Sequence, residues 1–268
     1  MRVTGTVAIV TGGGAGIGAA IARALAAGGA SVVVADLAED SAVAVASSIG
    51  DKAVGMGGDV SDPAVIDALV ARAEKEFGPV DLYVANAGTA AGMGVDTPDD
   101  LWDIALNVNV LAHVRAARAL VPGWLERGSG YFLSTASAAG LLTQIGSATY
   151  SVSKHAAVGF AEWMSVTYGD RGIAVSCLCP MGVNTALLNS GFETDQPGAS
   201  VAASAVTQAG AVLEPDDVAR VVMEAIDDER FLILPHPEVL EMYRRKGSDY
   251  GRWIGGMRKY RRALESGQ

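Results

Sequence analysis

Seven short runs that are apolar almost throughout set the frame of this chain: residues 7–11, 31–35, 53–56, 82–85, 131–135, 173–178 and 231–234. A strand that is continuously apolar, rather than alternating, is one buried on both faces. Between the runs lie Ala/Leu/Val-rich segments of helical length, and strand–helix–strand alternation requires right-handed crossovers and a parallel sheet. The pattern predicts an α/β chain, a doubly wound parallel sheet of about seven strands with helices on both faces. Helix starts are expected at Ser61-Asp62-Pro63 and Thr97-Pro98-Asp99, where capping residues accompany a proline suited to a first turn. Gly78-Pro79 should close the first of these helices, and residues 99–121 should form the second.

No linker or composition break divides residues 1–235, so one domain over 1–236 is expected, followed by a basic helical extension over 237–268. Half of the 268 residues are apolar and none of the apolar runs approaches the length of a membrane span or signal peptide, which predicts a soluble, cytoplasmic chain. The net charge of −10 argues against nucleic acid as a partner, but it is unevenly spread: residues 241–268 alone carry +5. Cys177 and Cys179, the only cysteines, read as buried free thiols, and His113, His155 and His236 lack metal-ligand spacing, so no metal is expected.

The first apolar run passes directly into Thr11-Gly12-Gly13-Gly14-Ala15-Gly16-Ile17-Gly18 and then into an Ala/Leu helix. Glycines at this junction let a pyrophosphate approach free N–H groups at a helix N-terminus. Asp36 ends the second run, placed to accept hydrogen bonds from an adenosine ribose and to repel the extra phosphate of NADP. With Leu37 after it and no Arg or Lys in the glycine turn, NAD is the expected cofactor.

Tyr150 and Lys154 stand one helical turn apart, thirteen and more residues after Ser137. An ammonium beside a phenol favours the phenolate, which could then take a proton from an alcohol. The pair alone is weak, since chance supplies ~0.1 such spacings in a chain of this composition. A solvated helix-surface pair is the bland alternative. Ser137 would fix the substrate oxygen near the phenol.

Taken in order, Gly12 to Gly18, Asp59-Val60, Asn86-Ala87-Gly88, Asn109, Ser137, Tyr150-x-x-x-Lys154 and Pro180 to Thr185 resemble the short-chain dehydrogenase/reductase family over most of residues 5–235. The resemblance implies a single-domain Rossmann fold and an NAD-dependent oxidoreductase. It further implies that Asp59 holds the adenine amino group, that Asn86, Ala87 and Gly88 shape the sheet beside the cofactor, and that Val183 and Thr185 hold the nicotinamide carboxamide. Asn109 would hold a water linking Lys154 to solvent, Lys154 would also contact the nicotinamide ribose, and the helices containing Asn109 and Tyr150 would assemble a homotetramer. One departure stands out: Pro180-Met181-Gly182 replaces the usual Pro-Gly, which brings Met181 toward the pocket and moves Gly182 by one place.

Met93, Leu141, Leu142, Ile145, Met181, Leu187, Leu188 and Phe192 should face the substrate, which points to a hydrophobic secondary alcohol or ketone. Two short runs, residues 153–160 and 179–188, look like those of hydroxyprostaglandin dehydrogenases. Residues 189–210, rich in small residues, should form a substrate loop. In the tail, Trp253, Met257, Tyr260 and Leu264 make one apolar helical stripe, expected to reach a partner subunit. Two other classes remain open: a catalytically silent NAD-binding sensor acting through the tail, and a dehydratase or epimerase.

Overall fold

The computed structural model describes residues 1–190 and 199–266. The chain runs β1 (Val7–Thr11), α1 (Gly16–Ala27), β2 (Ser31–Asp36), α2 (Glu39–Ile49), β3 (Ala53–Gly57), α3 (Pro63–Glu76) and β4 (Leu82–Ala85). It continues with α4 (Asp99–Leu106), a π-helical turn (Asn107–Leu111), α5 (Ala112–Arg127), β5 (Gly130–Thr135), α6 (Ala139–Leu142), α7 (Ala148–Tyr168) and β6 (Ile173–Leu178). Last come α8 (Ala186–Ser190), α9 (Ala199–Thr207), α10 (Pro215–Asp227), β7 (Leu232–Ile233), α11 (Glu238–Ser248) and α12 (Tyr250–Ser266).

The seven strands form one parallel sheet in the order β3-β2-β1-β4-β5-β6-β7. Side chains alternate between two apolar layers. Val7, Ile9, Val33, Tyr83 and Phe132 pack with α3, α5 and α7, whereas Ala8, Val10, Val32, Leu82 and Leu133 pack with α1, α2 and α10. Burial on both sides explains why the strands read as unbroken apolar runs. The order reverses between β1 and β4, and in an open parallel sheet the crevice at the carboxyl ends of such a pair is where ligands bind.

Several connections follow the local chemistry of the sequence. Asp62 caps α3, its carboxylate accepting from the Ala64 N–H at 2.9 Å, with Pro63 in the first turn. Thr97, expected as a cap, instead accepts from the Met93 N–H at 3.0 Å, and Pro98 itself occupies the cap position of α4. The expected single helix over 99–121 is corrected in two ways: a π turn interrupts it, and it runs on to Arg127. The whole stretch Asp99–Arg127 is long and apolar enough to cross a membrane by composition, but Ala112, Ala116, Leu120, Val121 and Trp124 bury themselves against the sheet. Trp124 donates its indole N–H to the Val80 carbonyl at 2.7 Å and lies so close to Gly130 that any side chain there would collide with its ring.

The expected substrate loop over 189–210 is partly helical: α9 occupies 199–207, while residues 191–198, including Phe192, lie outside the described residues. The tail stripe also has a partner within its own chain. Helix α12 packs on α9, and the Tyr260 hydroxyl donates to the Ala205 carbonyl at 3.2 Å.

Candidate active site

The glycine turn, Asn86–Gly88, Ser137 and residues 180–185 all emerge at the carboxyl ends of β1, β4, β5 and β6. Together they line a cavity of about 670 Å³ that runs from Asp36 past Tyr150 to the C-terminal helices.

At one end, Gly12 and Gly16 adopt positive φ angles of 61° and 50°. A Cβ on Gly12 would lie 2.9 Å from the Ala87 backbone, so the turn is pressed against the β4 strand end. Gly18 allows α1 to cross even closer, since a Cβ there would lie 2.1 Å from the Gly12 carbonyl. Helix α1 begins after Ala15 with no side-chain cap, which leaves its first-turn N–H groups for an anion. The Asp36 carboxylate accepts from the Gly14 N–H at 2.9 Å and the Ala38 N–H at 3.0 Å. Each oxygen keeps lone-pair capacity toward the cavity. Asn86 anchors the floor, donating to the Thr11 and Gly12 carbonyls. A dinucleotide fits this donor set: N–H groups for the pyrophosphate and a carboxylate for ribose hydroxyls.

Of the expected cofactor residues, Gly12, Ala15, Gly16, Ile17, Asp36, Asn86, Ala87, Gly88, Tyr150, Lys154, Pro180, Val183 and Thr185 line the cavity. Gly14, Gly18 and Gly182 stand behind it as spacers. Asp59 is exposed and binds the Ser61 N–H at 2.8 Å, Val60 is buried in the core, and Leu37 points into solvent, so these three lie beyond the wall.

The catalytic candidates converge. Ser147 caps α7 and accepts from the Tyr150 N–H, while Thr149 donates to the Ala91 and Gly92 carbonyls, so the loop after β4 clamps the start of this helix. Tyr150 and Ser137 line the same cavity, with the serine hydroxyl close enough to act on the phenol, and that hydroxyl donates to the Pro180 carbonyl at 3.4 Å and accepts from the Ala139 N–H at 3.1 Å. Lys154 is 3% exposed; its Nζ donates to the Thr135 carbonyl at 2.9 Å and sits 5.6 Å from the centre of the Tyr150 ring.

The electrostatics correct one expectation. Tyr150 is raised above the usual phenol value because burial disfavours the phenolate, with the Ser137 hydroxyl opposing the shift. Burial, rather than the neighbouring ammonium, sets the direction of the shift. Burial also pulls Lys154 down to about 8 from an ordinary 10.5.

Asn109 is fully buried in the π turn. Its Oδ1 accepts from the Thr89 N–H, and its Nδ2 donates to the Thr89 carbonyl and the Ser153 hydroxyl, each at 2.9 Å. The amide is first a clamp between the loop after β4 and α7. One Oδ1 lone pair remains for a water, on the same side of Gly88 as Lys154 Nζ.

Met93, Leu142, Ile145, Met181, Leu187 and Leu188 line the substrate end as expected, but Leu141 points into the core. The extra residue Met181 is fixed by His236, whose Nδ1 accepts from the Met181 N–H at 3.2 Å while Nε2 bonds the Ala211 carbonyl at 3.1 Å. Sequence reasoning missed His236, Gln144, and the whole far wall: Ala202, Ala205 and Val206 of α9 with Met242, Arg245, Trp253, Met257 and Tyr260 of the tail. The period of the tail stripe was the available signal, since an apolar face must be covered by something.

The family profile for short chain dehydrogenase matches residues 6–196. The chain belongs to the short-chain dehydrogenase family. It is an oxidoreductase acting on CH–OH groups. Among its relatives, the acetoacetyl-CoA reductase of Shinella zoogloeoides is 30% identical over 83% of this chain and 91% of the relative. The 1-deoxy-11-beta-hydroxypentalenate dehydrogenase of Streptomyces exfoliatus is 31% identical over 72% of this chain and 68% of the relative. The chain spans only 52% of another, the rat 17-beta-hydroxysteroid dehydrogenase 13, at 34% identity. A solved short-chain dehydrogenase/reductase from Burkholderia phymatum, in complex with NAD, superposes with a TM-score of 0.85 at 30% identity, covering 93% of this chain and 95% of that one.

Proposed function

We propose that this enzyme interconverts a hydrophobic secondary alcohol and its ketone with NAD, using Tyr150 as the general acid and base. The observation that carries this reading is the Tyr150–Ser137 pair within one continuous cavity, with Asp36 and the uncapped α1 at one end and apolar side chains at the other. In the oxidising direction the Tyr150 oxygen takes the substrate hydroxyl proton while the C–H bond on the same carbon breaks. A bound nicotinamide supplies the acceptor for that hydride. Ser137 holds the substrate oxygen beside the phenol, and Lys154, with one donor spent on Thr135, keeps two for a ribose hydroxyl and a water. Reduction uses the same contacts, with the Tyr150 phenol donating the proton.

The NAD preference rests on Asp36, whose charge opposes a ribose phosphate. The experiment is a panel of secondary alcohols and ketones assayed by nicotinamide absorbance with NAD and NADP separately, alongside Tyr150→Phe. Turnover with NAD that vanishes in Tyr150→Phe supports the reading. Equal efficiency with NADP removes the Asp36 argument, and full turnover in Tyr150→Phe removes the assigned base. We also propose a cytoplasmic homotetramer built through the helices that carry Asn109 and Tyr150; Leu111, Val152, Trp163 and Val166 leave apolar surface on those helices exposed.

A further inference from the structure

Helices α11 and α12 share the far wall of the pocket with α9, and a buried ammonium holds that hairpin in place. Lys246, near the end of α11, is 6% exposed. Its Nζ donates to the Leu141 carbonyl of α6 at 2.6 Å, lies 3.4 Å from His155 Nε2 on α7, and sits 5.5 Å from the centre of the Tyr250 ring at the start of α12. No carboxylate forms an ion pair with it among the described residues. A lysine buried without a counter-ion is costly unless other groups satisfy its protons.

His155 determines whether they do. Its Nδ1 lies 2.8 Å from the Ser151 carbonyl, which can only accept, so Nδ1 carries the hydrogen and the neutral ring offers a lone pair at Nε2 to Lys246. Protonation converts Nε2 into a donor and sets two cations face to face. The surrounding charges do not relieve this. Arg245 on α11 is tied to Glu241, Lys154 on α7 is turned to Thr135, α12 presents the Tyr250 ring, and α6 presents only a carbonyl.

The hairpin held this way contributes Met242, Trp253, Met257 and Tyr260 to the cavity, across from the α6–α7 loop that carries Ile145. We propose that Lys246 and neutral His155 form a latch that keeps the C-terminal hairpin closed over the pocket, and that the closed hairpin sets the width of substrate that fits. Lys246 is a positioning residue. The substrate-selecting half rests on the alcohol-oxidising reading above; the latch does not.

The test is amide hydrogen exchange of residues 250–266 in the full chain, corrected for intrinsic rates, at about pH 8 and about pH 5.5, on either side of the range in which histidines exchange their proton. In the wild type, exchange is expected to be about tenfold faster at the lower pH, an equilibrium change corresponding to about 1.4 kcal/mol. His155→Gln, whose amide oxygen accepts from Lys246 at either pH, should abolish the difference, and Lys246→Met should expose the segment at both. Equal protection of the wild type at the two pH values overturns the latch without recourse to any variant, as does wild-type protection in Lys246→Met. For selection, Trp253→Ala should raise the ratio of kcat/KM for a fused-ring alcohol over cyclohexanol by about tenfold; an unchanged ratio overturns that half. If the wild type oxidises no alcohol with NAD, the functional reading and the selection fall together, while hydrogen exchange still decides the latch.

Discussion

At the level of single residues, the site stores its cost in Lys154. Its folded value of about 8 lies below the ordinary 10.5, so in that interval the unfolded chain binds the extra proton. The destabilisation is therefore complete below pH 8 and is relieved as pH rises from 8 toward 10.5. At 1.36 kcal/mol per unit it amounts to roughly 3 kcal/mol near neutrality. Lys154→Met is expected to abolish oxidation while raising the Tm at pH 7, by about 6–12 °C if the whole cost is relieved, read by calorimetry; a lowered Tm contradicts it. Because Tyr150 is raised by burial, most of it is protonated near neutral pH. Alcohol oxidation should then climb about tenfold per pH unit between about pH 6 and 8, bending where Lys154 loses its proton, whereas ketone reduction stays level. A flat oxidation profile would remove Tyr150 as the group that must ionise. The residues themselves were legible in sequence because spacing and residue type carry them. Their ionisation was not, since desolvation depends on what covers a side chain.

Elements were legible where local chemistry decides them. Asp62-Pro63 starts α3 and Gly78 follows its end, because a capping carboxylate and a positive φ of 111° are properties of single positions. The π turn at Asn107–Leu111 left no local mark. Its residues are ordinary helix residues, and its position coincides with the tertiary grip of Asn109 on Thr89 and Ser153. Helix α9 was unreadable for a similar reason: an alanine-rich segment with weak periodicity gains its place from the Gln144 amide and Tyr260 hydroxyl bonds to its carbonyls. Helix α5 runs through Pro122, and Trp124, two residues on, pins its end to Val80. Trp124→Ala should cost about 3–5 kcal/mol in urea unfolding, and a loss below about 1 kcal/mol would show that the helix end is held elsewhere.

For the whole molecule, the doubly wound parallel sheet of seven strands was legible because apolar runs alternate with helices; the order β3-β2-β1-β4-β5-β6-β7 was not, since it depends on which edge of the sheet each crossover takes. Where the tail goes was not, since a basic amphipathic helix suits its own chain as well as another. Assembly belongs at this scale. Trp163 is 54% exposed and Val166 87% exposed along α7, a face that a second copy would cover. Val166→Arg is expected to lower the mass seen by light scattering by at least half; an unchanged oligomer places the interface elsewhere. A last consequence concerns Cys177 and Cys179, which lie buried with their sulfurs 3.7 Å apart in the core under Lys154. A thiol reagent cannot reach them until the sheet opens, so the rate of labelling is a clock for that opening. Any dinucleotide that binds the closed form slows the clock in proportion to its saturation, and cofactor affinity can be read from unreacted sulfur without a substrate in hand.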